Sequence, residues 1–447
     1  MTTSDTIYAL SSGSLPAGVA IIRISGPRSA EIGRRLTDAP LQPRLAHLRS
    51  IRHPNTAEVL DDALVIWFPA PRSFTGEDVL ELHCHGGRAV VAALFDALSV
   101  FENVRPAEAG EFTRRAFDAG RLDLTEVEGL ADLIASETET QRRQALRQMG
   151  GGLSEIYDGW RSDLLRARAL IEAELDFADE DDVPGSVSDV VWADVCTLAS
   201  LIEIHLSQSR VAERLRRGIQ IVLAGAPNAG KSSLMNALAR RDVAIVTEEA
   251  GTTRDVLEVH LDLHGLPVTL VDTAGIREAE GLVEREGIRR AREKMRQADL
   301  ILWLMPSDEM HSASPDDLLN EPDVPAVWVL RSKSDLASPA MTQDEPGTVS
   351  VSTRTHNGLE GLIGRLGKYA ADHIALSEDP LATRERHRTH LEDCLSALKR
   401  SFDSDSKPLE LRAEDLRLAA ESLGRISGRI DVEDMLDVIF GEFCIGK

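Results

Sequence analysis

The spacing of apolar and polar residues changes character along the chain, and each change marks a different kind of element. Residues 1–118 set short β-like runs, 19–24 and 63–68 among them, between Gly- and Pro-rich turns, which predicts a small α+β domain. From 119 to 214 the period becomes helical, with many Leu, Ala, Arg and Glu, broken at Gly150-Gly151-Gly152 and by the acidic run 179–182. Between 215 and 372, short apolar runs at 219–223, 268–271, 300–305, 326–330 and 348–351 alternate with amphipathic stretches, the pattern of a mostly parallel sheet covered by helices. Helical patterning resumes over 373–447. The chain reads as multidomain α+β: an N-terminal α+β domain, then an α/β unit inserted in a discontinuous helical domain. No internal repeat is seen.

A length of 447 residues agrees with about two to four domains, and 4% aromatics against 43% apolar residues points to aliphatic, helix-rich packing. The formal charge of −24 argues against indiscriminate coating of nucleic acid, because neutralising phosphates supplies nearly all non-specific affinity. Any RNA contact needs a local basic patch. Arg142/Arg143/Arg147, Arg161/Arg166/Arg168, Arg210/Arg214/Arg216/Arg217 and Arg384/Arg386/Arg388 are the places to look, though each also reads as a solvated helix face paired with nearby Glu. Cys84, Cys196, Cys394 and Cys444 lie far apart with no C-x-x-C spacing, so neither a disulfide framework nor a zinc site is signalled. The first residues lack a basic n-region, and no apolar run is expected to approach the ~20 residues that span a bilayer. A cytoplasmic protein without a membrane span is expected.

The run 219–223 leads into Gly225-Ala226-Pro227-Asn228-Ala229-Gly230-Lys231-Ser232, and helical patterning follows. That is the strand, loop and helix context of a phosphate-binding loop. Glycines let backbone N–H groups approach phosphate, the helix N-terminus adds positive partial charge, Lys231 reaches the terminal phosphates and Ser232 offers a hydroxyl to Mg²⁺. Asp272-Thr273-Ala274-Gly275 follows the strand 268–271, so Asp272 belongs at the carboxyl edge of the sheet, where it can hold Mg²⁺ through water while Gly275 offers N–H to the γ-phosphate. Gly251-Thr252-Thr253-Arg254-Asp255 is a hydroxyl-rich segment suited to closing on a triphosphate.

Ser332-Lys333-Ser334-Asp335 follows the strand 326–330 and resembles the guanine-reading N-K-x-D motif, with Asp335 accepting from the base's N1–H and 2-amino group. Adenine has no such amino group, so GTP is expected over ATP. Ser332 replaces the motif's Asn, and its shorter hydroxyl is expected to lose part of one base or loop contact, ~1 kcal/mol. Ser352-Thr353-Arg354 resembles the S-A-K loop that contributes backbone to the base pocket. Asn228, Ala229, Gly230, Lys231, Ser232, Ser233, Thr247, Thr252, Thr253, Asp272, Thr273, Ala274, Gly275, Ser332, Lys333, Asp335, Ser352, Thr353 and Arg354 form the expected GTP site.

Ile276 follows Gly275 where Ras-like proteins carry a water-orienting glutamine, so the catalytic group must come from elsewhere. With Asn228-Ala229-Gly230-Lys231-Ser232-Ser233 and residues 251–255, that absence resembles GTPases that use potassium in place of an arginine finger. Ser73-Phe74-Thr75-Gly76-Glu77-Asp78, Glu81-Leu82-His83-Cys84-His85-Gly86-Gly87, Gly110-Glu111-Phe112-Thr113-Arg114-Arg115-Ala116-Phe117 and the terminal Phe443-Cys444-Ile445-Gly446-Lys447 resemble the MnmE (TrmE) family of tRNA-modification GTPases in all three regions.

The resemblance implies a folate-binding, dimerising N-terminal domain (1–118), a helical domain in two parts (119–214 and 373–447, the second ending in the Cys motif) and an inserted Ras-like P-loop GTPase domain (215–372). It implies a homodimer that works with an FAD-dependent partner protein, as a heterotetramer, to add an aminomethyl or carboxymethylaminomethyl group to C5 of the wobble uridine of certain tRNAs. Carried over by position, Asn228, Thr252 and the backbone at Thr247 and Glu249 match potassium ligands, Ser232 and Thr253 match Mg²⁺ ligands, and Glu284 matches the residue that positions water. Arg23, Glu81, Arg121 and Lys447 match contacts to a 5-formyl- or methylene-tetrahydrofolate, and Cys444 a functional thiol. The loop 11–18 departs from the family's Gly/Arg-rich version.

Blander readings stand beside these. Glu284 and the folate residues taken singly are surface charges, and Cys444 is a packed cysteine. Its C-a-a-X position fits prenylation poorly, given Gly446 and Lys447. His83 and His85 share one face of a strand and Cys84 the other, which favours hydrogen-bonding histidines over a metal site. A ribosome-assembly switch without a small-molecule site, and a degenerate structural subunit weakened at Ser332, are the rival functions.

Overall fold

The computed structural model describes residues 5–176, 187–241, 243–245, 258–272, 289, 292–307, 325–336, 348–374, 380–402, 407–430, 436, 439–441, 443 and 446. Two units divide the chain: Met1–Ala131, Gln148–Asp181 and Ser404–Lys447 make the first, Asp132–Arg147 and Asp182–Asp403 the second.

In the first unit β1 (Thr6–Leu10), β2 (Ala17–Ser25), β3 (His47–Arg52), β4 (Val59–Phe68), β5 (Val79–Gly86) and β6 (Val104–Pro106) form one sheet in the order β3-β4-β5-β2-β1-β6. Strand alternation sends Ile22, Ile24, Val65, Leu80, Leu82 and Cys84 to one face, where Ile32 and Leu36 of α1 (Ser29–Thr37) and Leu94 and Leu98 of α2 (Arg88–Ser99) cover them. Each such fully buried aliphatic side chain contributes roughly 2 kcal/mol. Arg23, Glu81 and His83 consequently fall on the opposite face. After α3 (Glu111–Asp118) and α4 (Leu124–Ile134), and α5 (Glu139–Met149), which belongs mostly to the second unit, comes α6 (Gly152–Asp176), which packs along α11 (Leu409–Ile426). Leu436, Ile439, Phe440 and Phe443 close a small core with Leu124 and Val127.

The second unit contains α7 (Val187–Arg217), packed against α10 (Glu385–Ser401). Between them in sequence run β7 (Ile219–Gly225), α8 (Lys231–Ala239), β8 (Glu258–Leu263), β9 (Leu266–Asp272), β10 (Leu300–Pro306), β11 (Ala326–Ser332), β12 (Val349–Ser350) and α9 (Leu359–His373). The sheet order is β12-β11-β10-β7-β9-β8, parallel except for the β8–β9 hairpin. Helices on both faces explain why these strands read as unbroken apolar runs; every residue of β9 is buried. β8 escapes such a reading because Glu258, His260 and Asp262 interrupt its apolar positions at the sheet edge.

A stretch of 18 residues within Val190–Arg217 has a mean hydropathy of 1.4, so by length and composition alone this helix could cross a membrane, where the sequence reading expects no such run. Several of its polar side chains are paired with other parts of the chain. Glu213 accepts from Arg388 at 3.3 Å, and Glu203 from Lys399 at 2.9 Å. At its end, buried Asp299 accepts from Arg214 Nε at 2.9 Å and from the Gln220 N–H at 2.9 Å, and its carbonyl takes the Tyr369 hydroxyl at 2.6 Å. That node ties α7 to β7, β10 and α9, and so sets where the sheet sits on the helix.

Candidate functional site

Register along the parallel sheet brings three loops to one edge. Leu304 pairs with Gly225, Leu223 with Asp272 and Pro306 with Ser332, so the loops after β7, β9 and β11 all leave from the carboxyl ends, where open α/β sheets bind ligands. Gly225 has φ +134°, and a Cβ there would stand 2.4 Å from the carbonyl oxygen of Leu304. Only glycine lets the loop leave β7 at that point. Asn228 (φ 62°) is exposed on the loop, and Gly230 (φ 94°) precedes the first turn of α8. Lys231 is buried, its ammonium donating back across the loop to the carbonyls of Gly225 at 3.1 Å and Ala226 at 2.9 Å. That places a cation beside the helix N-terminus, the arrangement that receives phosphate.

Ser232 Oγ donates to Asp272 Oδ2 at 3.0 Å, and Asp272 is buried at the end of β9. A neutral hydroxyl from the first turn of α8 and a carboxylate from the end of β9 are the hard oxygen donors that Mg²⁺ takes together with phosphate oxygens.

The base-reading loop is tied to the phosphate loop. Ser332 Oγ donates to the carbonyl of Ala229 at 2.6 Å, both residues being buried. The loss expected for this replacement of Asn therefore does not fall on the loop contact, which the hydroxyl makes by itself. Lys333 takes a left-handed conformation (φ 56°) and leads to Asp335, which is exposed. Buried Ser352 donates to Asp335 Oδ1 at 2.7 Å. This hydroxyl, with nearby Arg354, holds the Asp335 carboxyl below the usual carboxylate range, as an ionised acceptor for N–H groups. Ser233 and Thr353 line a cleft of about 830 Å³ with Asn236, Arg240, Arg241 and His356. Thr247, Glu249, Thr252, Thr253, Thr273, Ala274, Gly275, Ile276, Glu284, Cys444 and Lys447 lie outside the described residues.

On the sheet of the first unit, Arg23 and Glu81 meet each other: Nη2 and Nε donate to Oε1 at 3.0 and 3.1 Å. The Arg23 guanidinium lies 5.2 Å from the ring centre of Phe74 and 5.8 Å from that of Phe112, within cation–π range. His83 Nε2 is 3.2 Å from Glu81 Oε2. A charged group on an aromatic floor can recognise a flat heterocycle or a carboxylate. Arg121 is exposed, and a Cβ on Gly76 would lie 3.5 Å from its Cγ, so it stands beside the loop that carries Phe74. The sequence does not single out Phe74 and Phe112 as ligand contacts: Phe74 precedes β5 and Phe112 lies on α3, and no local pattern links either to Arg23.

His85 pairs with Asp61 at 2.8 Å, and no group of three or more metal-ligating side chains occurs among the described residues. Burial pushes the Cys84 thiol up to about 11 and Cys394 to about 12, leaving both as inert thiols. Several arginines of the basic clusters are paired within the chain: Arg142 and Arg143 with Glu139 on the surface, Arg168 with Glu172, Arg384 with Asp132 and Arg388 with Glu213.

A family model described as the GTP-binding protein TrmE N-terminus matches residues 6–121, and one described as the MnmE helical domain matches residues 124–444. The protein named tRNA modification GTPase MnmE from Rhizobium meliloti (strain 1021) is 56% identical over 447 residues, 100% of both chains. Its namesake from Sinorhizobium medicae (strain WSM419) is 54% identical over 445 residues, 99% of both. Solved structures similar to part of the chain include the G domain of the Thermotoga FeoB iron transporter (T. maritima; 25% identity, TM-score 0.25, 34% of this chain and 98% of that one). Another is Aquifex aeolicus Era bound to GDP and AlF4⁻ (20% identity, TM-score 0.28, 42% of this chain and 68% of that one).

Proposed function

The chain belongs to the MnmE (TrmE) family of tRNA-modification GTPases, and from that premise we propose a homodimeric, K⁺-stimulated GTPase whose nucleotide cycle gates wobble-uridine modification. Hydrolysis of GTP in the service of tRNA modification is the family's activity and this chain's. The observation that carries the GTPase assignment is the convergence of Lys231, Ser232 and Asp272 at one sheet edge, joined to the Asp335 loop through Ser332.

In this reading Lys231 and the N–H groups of Ala229 and Gly230 take the phosphates, Asp335 takes the guanine edge, and Ser352 keeps its carboxylate aimed. Ser233, Lys333, Thr353, Arg354, Thr273, Ala274 and Gly275 complete the pocket. Ser232 and Thr253, with Asp272 behind them, would hold Mg²⁺; Asn228, Thr247, Glu249 and Thr252 would hold K⁺. The two cations supply positive charge against the γ-phosphate. Glu284 orients the attacking water in place of the missing glutamine.

Arg23, Glu81, Arg121 and Lys447 would hold 5-formyl- or methylene-tetrahydrofolate, the one-carbon donor. The polar Arg23–Glu81 pair on the Phe74 and Phe112 rings supports this, since pterin recognition needs both a charged edge and an apolar floor. Cys444 is the functional thiol, and an FAD-dependent partner completes a cytoplasmic heterotetramer acting on tRNA. We divide the chain at 118, 214 and 372.

GTP turnover measured in KCl against NaCl tests the cation, with at least a tenfold preference for KCl expected, on the order of ~1.4 kcal/mol. Nucleoside composition of tRNA from cells lacking this protein tests the purpose: 5-substituted wobble uridine should disappear, and an unaltered profile would defeat the assignment. Calorimetry with 5-formyl-tetrahydrofolate separates this reading from a ribosome-assembly switch, which would bind none.

A further inference from the structure

The end of the chain lies directly on the N-terminal sheet. Gly446 has φ +103°, and a Cβ there would stand 2.0 Å from the carbonyl oxygen of Leu10, so only a glycine backbone fits against the end of β1. Ser11, the next residue, donates from Oγ to the carbonyl of Gly446 at 2.7 Å. The corner that presents this hydroxyl is itself held: the Ser11 N–H donates to the Ile21 carbonyl at 2.8 Å, and the Ile21 N–H donates to Ser12 Oγ at 3.1 Å. A few residues upstream, Gly110 is packed so closely that a Cβ would stand 2.2 Å from the Phe440 carbonyl oxygen, and Phe440 and Phe443 are buried with Leu124 and Val127.

Strand register says which face this anchor serves. Ala9 pairs with Arg23 and Leu10 with Ile22, so Ser11 falls opposite Ile21 and shares the face of Arg23. Arg23 in turn pairs with Glu81, and Ile21 with His83, across β5. Ser11, which ties the Gly446 peptide, thus sits in the row of Ile21 and His83, two residues along the strands from the row of Arg23 and Glu81.

We propose that Ser11 is a positioning residue for the one-carbon chemistry: its hydroxyl fixes the Gly446 peptide on the face of the sheet that carries Arg23 and Glu81. This rests on the folate reading above. The test uses the full-length dimer in a Cys196→Ser background, comparing Ser11→Ala, Ser11→Thr and Gly446→Ala for iodoacetamide alkylation of Cys444 and for 5-formyl-tetrahydrofolate affinity.

Losing one hydrogen bond should weaken folate binding about fivefold and speed alkylation by about as much. Ser11→Thr, which keeps the hydroxyl, should restore both; Gly446→Ala, whose Cβ meets the Leu10 carbonyl, should reproduce the loss from the other partner; GTP turnover should stay level in all three variants and Tm in the two Ser11 variants. Unchanged alkylation and affinity in Ser11→Ala overturn the proposal, as does faster alkylation with folate affinity intact, which would leave Ser11 a mere structural tie. A wild-type protein that binds no folate sinks the folate reading instead, and the anchoring is then decided by alkylation alone, an unchanged rate counting against it.

Discussion

Ser332 stands where guanine-reading loops carry Asn, and replacing it by Ala isolates what its hydroxyl does. The bond to the Ala229 carbonyl is 2.6 Å long, Ser332 is 4% exposed and Ala229 fully buried, so water cannot substitute for the lost donor. Leaving a buried acceptor short of a partner costs about 1–3 kcal/mol. The bond joins the loop that takes the phosphates to the loop that takes the base, so the cost falls on any ligand needing both at once. GTP and GDP should weaken together, by roughly thirtyfold at the middle of that range. Preference for GTP over ATP should be untouched, because it rests on Asp335. Ser332→Asn should bind at least as well as the natural residue, since an amide reaches the same carbonyl and adds a further polar group. Displacement of a fluorescent GDP analogue by GTP, GDP and ATP measures all three constants. Equal affinities for Ser332→Ala and the natural protein would refute the tie; weakening of GTP alone would move the effect to the γ-phosphate.

Three further outcomes are expected. Asp335→Asn should turn preference from GTP toward xanthosine triphosphate, whose 2-oxo group needs a donor, and an unshifted preference would mean the base pocket lies elsewhere. Glu284→Ala should lower turnover by ~10²-fold while leaving GTP affinity nearly intact; unchanged turnover removes Glu284 from the mechanism. His85, exposed on the N-terminal sheet, has its pKa raised above 6.5 by the hydrogen bond and charge of Asp61, whose own carboxyl is lowered from 3.8, burial being outweighed by its bonds to His85. The histidine's share of this pair is full below pH 6.5 and fades as pH rises through the raised value, while the carboxylate's is present above pH 3.8 and fades as pH falls through the lowered one. Asp61→Asn should bring the His85 ring titration, followed by NMR, back toward 6.5, and an unmoved midpoint would deny the coupling.

What can be read from the sequence follows from where each geometry is enforced. A phosphate demands glycines, a lysine and a hydroxyl within eight consecutive residues, so Gly225 to Ser232 is legible locally, as are the five apolar runs that become β7, β9, β10, β11 and β12. Partnerships set by topology are not. Arg23 and Glu81, both matched to folate contacts by the family resemblance but not to each other, are 58 positions apart and meet because β2 and β5 are neighbours in register. Arg217 and Asp299, 82 apart, and Ser11 and Gly446, 435 apart, carry no local pattern at all. Ser332 shows why this matters for judging a departure from a motif. Read alone, Asn to Ser is a loss; its significance depends on a carbonyl 103 positions upstream that the hydroxyl reaches at 2.6 Å. The interaction a motif residue makes with the ligand is fixed by chemistry and can be read in place, whereas its interaction with the rest of the protein is fixed by the fold. A substitution that keeps the second can leave the loop in working shape even when it gives up part of the first.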